Sequence, residues 1–321
     1  MDTVKIMDQQ WDYLIVLDAC RYDYFEQVWQ KYLTGDLTKK LSVGTGTSDW
    51  RDKSFFKYYD DIVYVSANPY INSLKSVKGF SANEYFHKVY DLWLNNWDDE
   101  KGTVMPDVVT KQAIDIVNNH PEKRAIIHYL QPHEPYLGSS VSQAGFEKPT
   151  AGGYLLGVRD EQIKSKIGKM IMKLCSAAFY WTGIRGKFLL WKIRELLKLP
   201  PAGPMDAVRR KYGDDILRQA YKENLEIALP HVAKLVENIS GKIIITADHG
   251  EMLGEDKCYC HWSRAKKKFL REIPWLVIDK GEKVTTPKKV THEEKDTSSN
   301  LNEKETKEQI QQRLKALGYM D

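Results

Sequence analysis

The chain has 321 residues, 42% of them apolar, with a formal charge of +4, enough apolar surface for a sizeable core and too much for a disordered chain. Its basic residues are spread out and form no homeodomain, zinc-finger or RNA-recognition signature, which excludes nucleic acid as an expected partner. Residues 1–11 lack the basic and apolar blocks of a signal peptide, no stretch reaches the roughly eighteen apolar residues of a membrane span, and four cysteines are too few for a disulfide scaffold. The expectation is a cytoplasmic protein, peripheral at a membrane where a partner or anchor localises it.

In chain order, residues 13–17 (Tyr-Leu-Ile-Val-Leu) form a continuous apolar run ending at Asp18, the pattern of a buried parallel strand. A helix is expected between Tyr22 and Leu33. Runs at 62–66, 125–130 and 242–246 repeat the strand pattern, the first closing on Asn68-Pro69. Apolar residues at three- and four-residue spacing predict helices over 80–95, 106–118 and 207–238, the last interrupted at Pro230. This order implies an α/β fold with a mostly parallel central sheet over residues 1–280, carrying a helical insertion at 138–204. Residues 281–321 read as a polar linker and a C-terminal helix. Within the insertion, 167–199 mixes Met, Phe, Trp and Leu with basic residues. It reads as a cap packed on the core or as a basic amphipathic helix pair lying on an anionic membrane surface.

The segment Ile243-Ile-Ile-Thr-Ala-Asp248-His249-Gly250-Glu251 delivers an Asp and a His side by side at a strand exit. Such a pair can hold a divalent metal, and mixed oxygen and nitrogen donors suit zinc or manganese better than magnesium or calcium. Asp18 ends another strand, so in a parallel sheet its carboxylate projects to the same edge and can share the ion. His128 lies inside a strand and reads as structural. Cys258-Tyr-Cys260-His261 lacks the second ligand pair of a structural zinc site.

Leu17-Asp18 after a strand, Gln131-Pro132-His133-Glu134-Pro135-Tyr136 and Thr246-Ala-Asp248-His249-Gly250-Glu251-Met-Leu-Gly254-Glu255 together resemble the hallmarks of sulfatase-like members of the alkaline phosphatase superfamily. The resemblance implies a three-layer alkaline-phosphatase-like sandwich and one or two divalent ions, with Asp18, Asp248 and His249 as ligands. It also implies a nucleophile some tens of residues after Asp18, where Gly44-Thr45-Gly46-Thr47-Ser48-Asp49-Trp50 is similar to the nucleophile turn of lipoteichoic-acid synthases. Thr47 is the expected nucleophile and metal ligand, with Thr45 and Ser48 as rivals. By the same resemblance His133 contacts the leaving group or a second metal, and His261 completes the metal or phosphate site. Arg21 either touches substrate oxyanions or pairs with Asp23.

The resemblance implies a metal-dependent hydrolase of phosphate or sulfate esters working through a covalent threonine. The alternative is a phosphoryl-group transferase that modifies a lipid-linked or cell-surface glycan, and an inactive binding module comes third. No Cys-x-Pro-x-Arg sequence is present, which argues against a formylglycine sulfatase, and His249 in place of the Asn usual in sulfatases favours phosphate. The expected substrate is a small-molecule, glycan or lipid ester.

Overall fold

The computed structural model describes residues 2–74, 76–141, 184–262, 265 and 267–283. Its strands and helices, in chain order, are β1 (Tyr13–Leu17), α1 (Tyr22–Val28), β2 (Asp36–Leu41), α2 (Thr47–Ser54), β3 (Tyr59–Ser66), β4 (Phe86–Asp91), α3 (Leu92–Asn95), β5 (Trp97–Asp98), β6 (Thr103–Val104), α4 (Pro106–Asn119), β7 (Arg124–Tyr129), α5 (Ile184–Leu196), α6 (Pro204–Asn238), β8 (Lys242–Thr246), β9 (Met252–Leu253), β10 (Tyr259–Cys260) and β11 (Glu272–Asp279).

Seven strands form one sheet in the order β2-β11-β8-β1-β7-β3-β4. The five from β8 to β4 run parallel, and β11 pairs antiparallel with both β8 and β2. This is the α/β fold with a mostly parallel sheet that the sequence implies. The apolar runs of β1, β7 and β8 are buried on both faces, which is why they are continuous rather than alternating. Because β8, β1, β7 and β3 are neighbours running the same way, the residues just past their C-terminal ends meet at one edge: Asp248, Asp18, His133 and Asn68.

Two predicted elements differ. The helix expected over 80–95 is largely strand β4, with a 3-10 turn at Ala82–Glu84 before it and an α-helical turn at Leu92–Asn95 after it. Apolar residues at Phe86 and Val89 fit a helical spacing, but parallel pairing with β3 decides the conformation, a tertiary contact overriding a local signal. The long helix α6 runs straight through Pro230 and is broken instead at Gly213, whose φ of 83° is left-handed. Of the insertion, residues 142–183 lie outside the described residues, as does most of the linker and C-terminal helix expected over 281–321. The described part of the insertion, α5, packs Trp191 against Tyr259 of β10, with ring centroids 5.2 Å apart. Among the described residues no helix is long and apolar enough to cross a membrane.

Candidate metal and phosphoryl site

The turn after Val43 brings Thr47 to the first residue of α2. There Thr47 Oγ1 donates a hydrogen bond to Asp248 Oδ2 at 2.8 Å and stands 3.4 Å from His249 Nε2. Ser42 Oγ donates to the Asp248 carbonyl, tying the start of this turn to the end of β8. Thr45 is turned away, its hydroxyl donating to the Trp262 carbonyl at 2.8 Å. Of the two hydroxyls so described, Thr47 is the one brought to the acids.

Asp18, Asp248 and His249 offer ligand atoms lying within 4.8 Å of one another, and each residue is at most 1% exposed. Asp248 Oδ1 accepts from the Ala19 and His249 amides at 3.1 and 2.9 Å. Asp18 Oδ2 accepts from Asn68 Nδ2 at 2.5 Å, while Asp18 Oδ1 is buried with no hydrogen-bond partner. The His249 Nδ1–H donates to the Gly250 carbonyl at 2.8 Å, since a carbonyl can only accept. Nε2 therefore presents a lone pair toward the two carboxylates, the tautomer a metal-binding imidazole needs. An orphaned carboxylate oxygen, a second buried carboxylate and an imidazole lone pair converging on one point fit a divalent cation.

Burial drives the Asp18 carboxyl well above the usual carboxylate range, helped by the charges of Asp248 and Glu251. Burial works the same way on Asp248, but His249, His128 and hydrogen bonds from Ala19 and Thr47 outweigh it and hold that carboxyl below its ordinary value.

Beside this cluster lies a second one. His133, Glu251 and His261 also offer ligand atoms within 4.8 Å of one another. His261 Nδ1 is 3.2 and 3.3 Å from the two Glu251 oxygens, and His133 Nε2 is 4.0 Å from Glu251 Oε2. His133 Nδ1–H donates to the Glu134 carbonyl at 2.8 Å, which aims Nε2 at the cluster. The two clusters are contiguous, with the His249 and His261 rings 4.2 Å apart at the boundary. His261 thus groups with His133 and Glu251 rather than with Asp18, Asp248 and His249.

Among the described residues the Arg21 guanidinium bonds to no ligand side chain of either cluster. Its guanidinium pairs with Asp23 at 2.6 Å and Glu255 at 2.5 Å, donates to the Glu251 carbonyl and stacks on Phe269. Of its two expected roles, the structure shows the pairing with Asp23.

Three residues at the site went unassigned by sequence. Asn68 also reaches Thr47 Oγ1, at 3.4 Å, and the strand-end logic that picks out Asp18 applies to it equally. Glu251 stands inside the Asp-His-Gly-Glu motif. His128, expected to be structural, has Nδ1 against the Tyr64 hydroxyl at 2.9 Å and an unpartnered Nε2 at 3.8 Å from Asp18 and 4.0 Å from Asp248. Burial lowers its pKa to about 4. The signal was available: a polar residue within a doubly buried strand needs a polar reason.

No family model matches the chain, and no curated protein does either. Solved structures do. The C-terminal periplasmic domain of the phosphoethanolamine transferase EptC from Campylobacter jejuni is similar at 13% identity over 83% of this chain and 78% of that one, with a TM-score of 0.42. The periplasmic domain of EptC from Escherichia coli, in complex with Zn, is similar at 11% identity over 84% and 72%, TM-score 0.47. A phosphonate monoester hydrolase from Silicibacter pomeroyi is similar at 14% identity over 84% and 67%, TM-score 0.39. The likeness to these structures is one of fold, the α/β architecture that the motifs led one to expect. The cytoplasmic expectation is corrected: the two EptC structures are periplasmic domains, and the polar residues 1–11 do not decide location.

Proposed function

We propose that the chain catalyses metal-dependent phosphoryl transfer, with Thr47 attacking the phosphorus of a phosphate ester. The observation that supports this most is the position of Thr47 Oγ1, 2.8 Å from Asp248 Oδ2 and 3.4 Å from His249 Nε2 at the mouth of a buried acid cluster. Asp18, Asp248, His249 and Thr47 would hold one divalent ion, zinc or manganese, and His133, Glu251 and His261 a second. A cation at the first cluster supplies Lewis acidity and makes the Thr47 hydroxyl easier to deprotonate.

Asp248 Oδ2 accepts the hydrogen bond of Thr47 and orients its oxygen. As the Thr47 hydroxyl gives up its proton and its oxygen bonds to phosphorus, the bond from phosphorus to the ester oxygen breaks in line and that oxygen leaves protonated, so phosphothreonine and an alcohol result. Asn68 Nδ2, within 3.4 Å of Thr47 Oγ1, is placed to donate toward the transferring group. With the second cluster free of an ion, His133 and His261 are instead placed to exchange protons with the leaving and the entering oxygen.

Water as acceptor makes the chain a hydrolase, and an alcohol makes it a transferase. We set transfer to an alcohol of a glycan or lipid ahead, in keeping with the phosphoethanolamine transferases among the similar structures, with hydrolysis as the second reading. We take residues 1–280 as the catalytic unit and 138–204 as its cap, with a membrane-facing part at 167–199. The contact of α5 with β10 and the exposed Leu196 beside the exposed Lys192 and Lys198 support that assignment.

The test is turnover of p-nitrophenyl phosphate, bis-p-nitrophenyl phosphate and p-nitrophenyl sulfate by metal-stripped protein resupplied with zinc or manganese, with and without a primary alcohol. Intact-mass spectrometry reads the covalent intermediate. Thr47→Ala is expected to remove the phosphoryl adduct and to lower metal-dependent turnover by at least about 10⁴-fold. Full activity in Thr47→Ala would sink the proposal, and phosphorylated alcohol among the products decides for the transferase.

A further inference from the structure

The two clusters draw on the loops after β1 and β7, whose residues 18–21 and 130–138 belong to no strand or α-helix. The loop after β1 runs through Ala19, whose φ of 59° is left-handed without being glycine, a conformation that needs outside support. The loop after β7 carries His133 between Pro132 and Pro135, so two of its residues have no amide to donate. The two loops touch through one backbone hydrogen bond, from the His133 amide to the Asp18 carbonyl at 3.2 Å.

Helix α6 supplies the support from two side chains one turn apart. Tyr221 Oη donates to the Ala19 carbonyl at 2.6 Å and accepts from the Arg21 amide at 2.9 Å, closing the loop that follows Asp18. Asn224 Nδ2 is aimed at the carbonyls of His133, Pro135 and Pro132, at 3.0, 3.0 and 3.3 Å. Its Oδ1 accepts from the Leu137 amide at 2.8 Å. Both side chains are fully buried in positions where a leucine would serve packing alone. The same helix reaches the strand before His261, where Asp214 accepts from the Tyr259 hydroxyl at 2.9 Å. Residues three apart on a helix share a face at a fixed separation, so the Tyr221–Asn224 spacing is imposed on the loops they hold.

We propose that Tyr221 and Asn224 are positioning residues: α6 acts as a spacer that sets the Asp18 cluster and the His133 cluster at the distance the reaction needs. Tyr221 governs the first cluster through Ala19, and Asn224 governs the second through the carbonyls around His133. This rests on the phosphoryl-transfer reading for its purpose, while the placement itself can be measured independently.

The test uses the full chain and two near-isosteric variants, Tyr221→Phe and Asn224→Asp, the latter keeping the acceptor for Leu137 and removing the donors. Circular dichroism checks the fold, and Asn224→Ser, which retains one donor, stands in should Asn224→Asp not fold. Imidazole carbon–proton spectra of metal-free protein are the positional readout. Asn224→Asp is expected to shift the His133 signal and leave His249 in place, whereas in Tyr221→Phe the larger shift moves to His249, 3.6 Å from Asp18. In turnover, both variants lower kcat by about tenfold or more at little-changed KM. Unmoved His133 and His249 signals, or the same pattern of shifts in both variants, would overturn the proposal. Titrating wild type with zinc tests the catalytic reading separately: no uptake would sink that reading, while the imidazole shifts would still decide whether Tyr221 and Asn224 position the loops.

Discussion

Asp18 and Asp248 are the same residue type at the ends of adjacent strands, yet their surroundings push them apart. Asp248 has four partners that favour its charge, and Asp18 has one hydrogen bond against burial and two neighbouring acids. A carboxyl whose folded pKa is raised stabilises the fold through its bound proton, and that contribution is lost as pH rises through the folded value. At neutral pH the metal-free protein therefore carries a penalty at Asp18, about 1.4 kcal/mol for each unit of elevation. Asp18→Asn removes the charge and keeps an acceptor for Asn68. Its metal-free form is expected to melt above metal-free wild type at neutral pH, the advantage fading on acidification, while zinc no longer raises its melting temperature. Equal melting of the two metal-free proteins would mean that Asp18 is not strained.

At the scale of elements, what could be read from sequence was whatever burial writes into local pattern. Strands β1, β7 and β8 are doubly buried, so their apolar runs and the acids that end them were legible. Strand β4 pairs on one side at the sheet edge, and its Phe86 and Val89 were equally compatible with a helix turn. The break in α6 at Gly213 instead of Pro230 depends on what flanks each residue in space, which spacing does not encode. Tyr221 and Asn224 escaped because single polar residues that bond loop backbone leave no period, whereas Asn68 stands past a strand end, where the rule that picks out Asp18 reaches it too. The turn before α2 is a case where sequence and packing agree: a Cβ on Gly44 would meet Trp50 Cα at 2.5 Å and its amide closer still. Gly44→Ala must push the first turn of α2 outward, an overpacking cost of about 1–3 kcal/mol, and Thr47 moves with it. The expected result is a folded protein with kcat lowered by about 10–100-fold, checked by melting and steady-state kinetics together. Unchanged kcat would show that the Thr47 position tolerates displacement.

For the molecule as a whole, stability, acidity and metal occupancy are one linked equilibrium. His128 is held neutral, its pKa lowered from 6.5 to about 4 by burial first, with His249 adding to it and Asp248 opposing. A histidine with a depressed folded pKa contributes stability that is complete above the ordinary value and is lost as pH falls toward the folded one, here about 3 kcal/mol between pH 6.5 and 4. In metal-free wild type, protonation of Asp18 runs the other way and blunts this loss, so the acid limb should steepen in metal-free Asp18→Asn. Cation binding adds its own term, about 2.7 kcal/mol at a hundred times the dissociation constant. Because the raised pKa of Asp18 lets protons compete at a pH where Asp248 is still ionised, that term should shrink on acidification before ordinary carboxylates titrate. Melting curves of wild type with and without saturating zinc, taken from pH 8 down to pH 5, are expected to converge as pH falls. A zinc-induced rise in melting temperature that stays constant across this range would mean that the cation does not depend on the Asp18 carboxylate, and the first cluster would lose its place as the metal site.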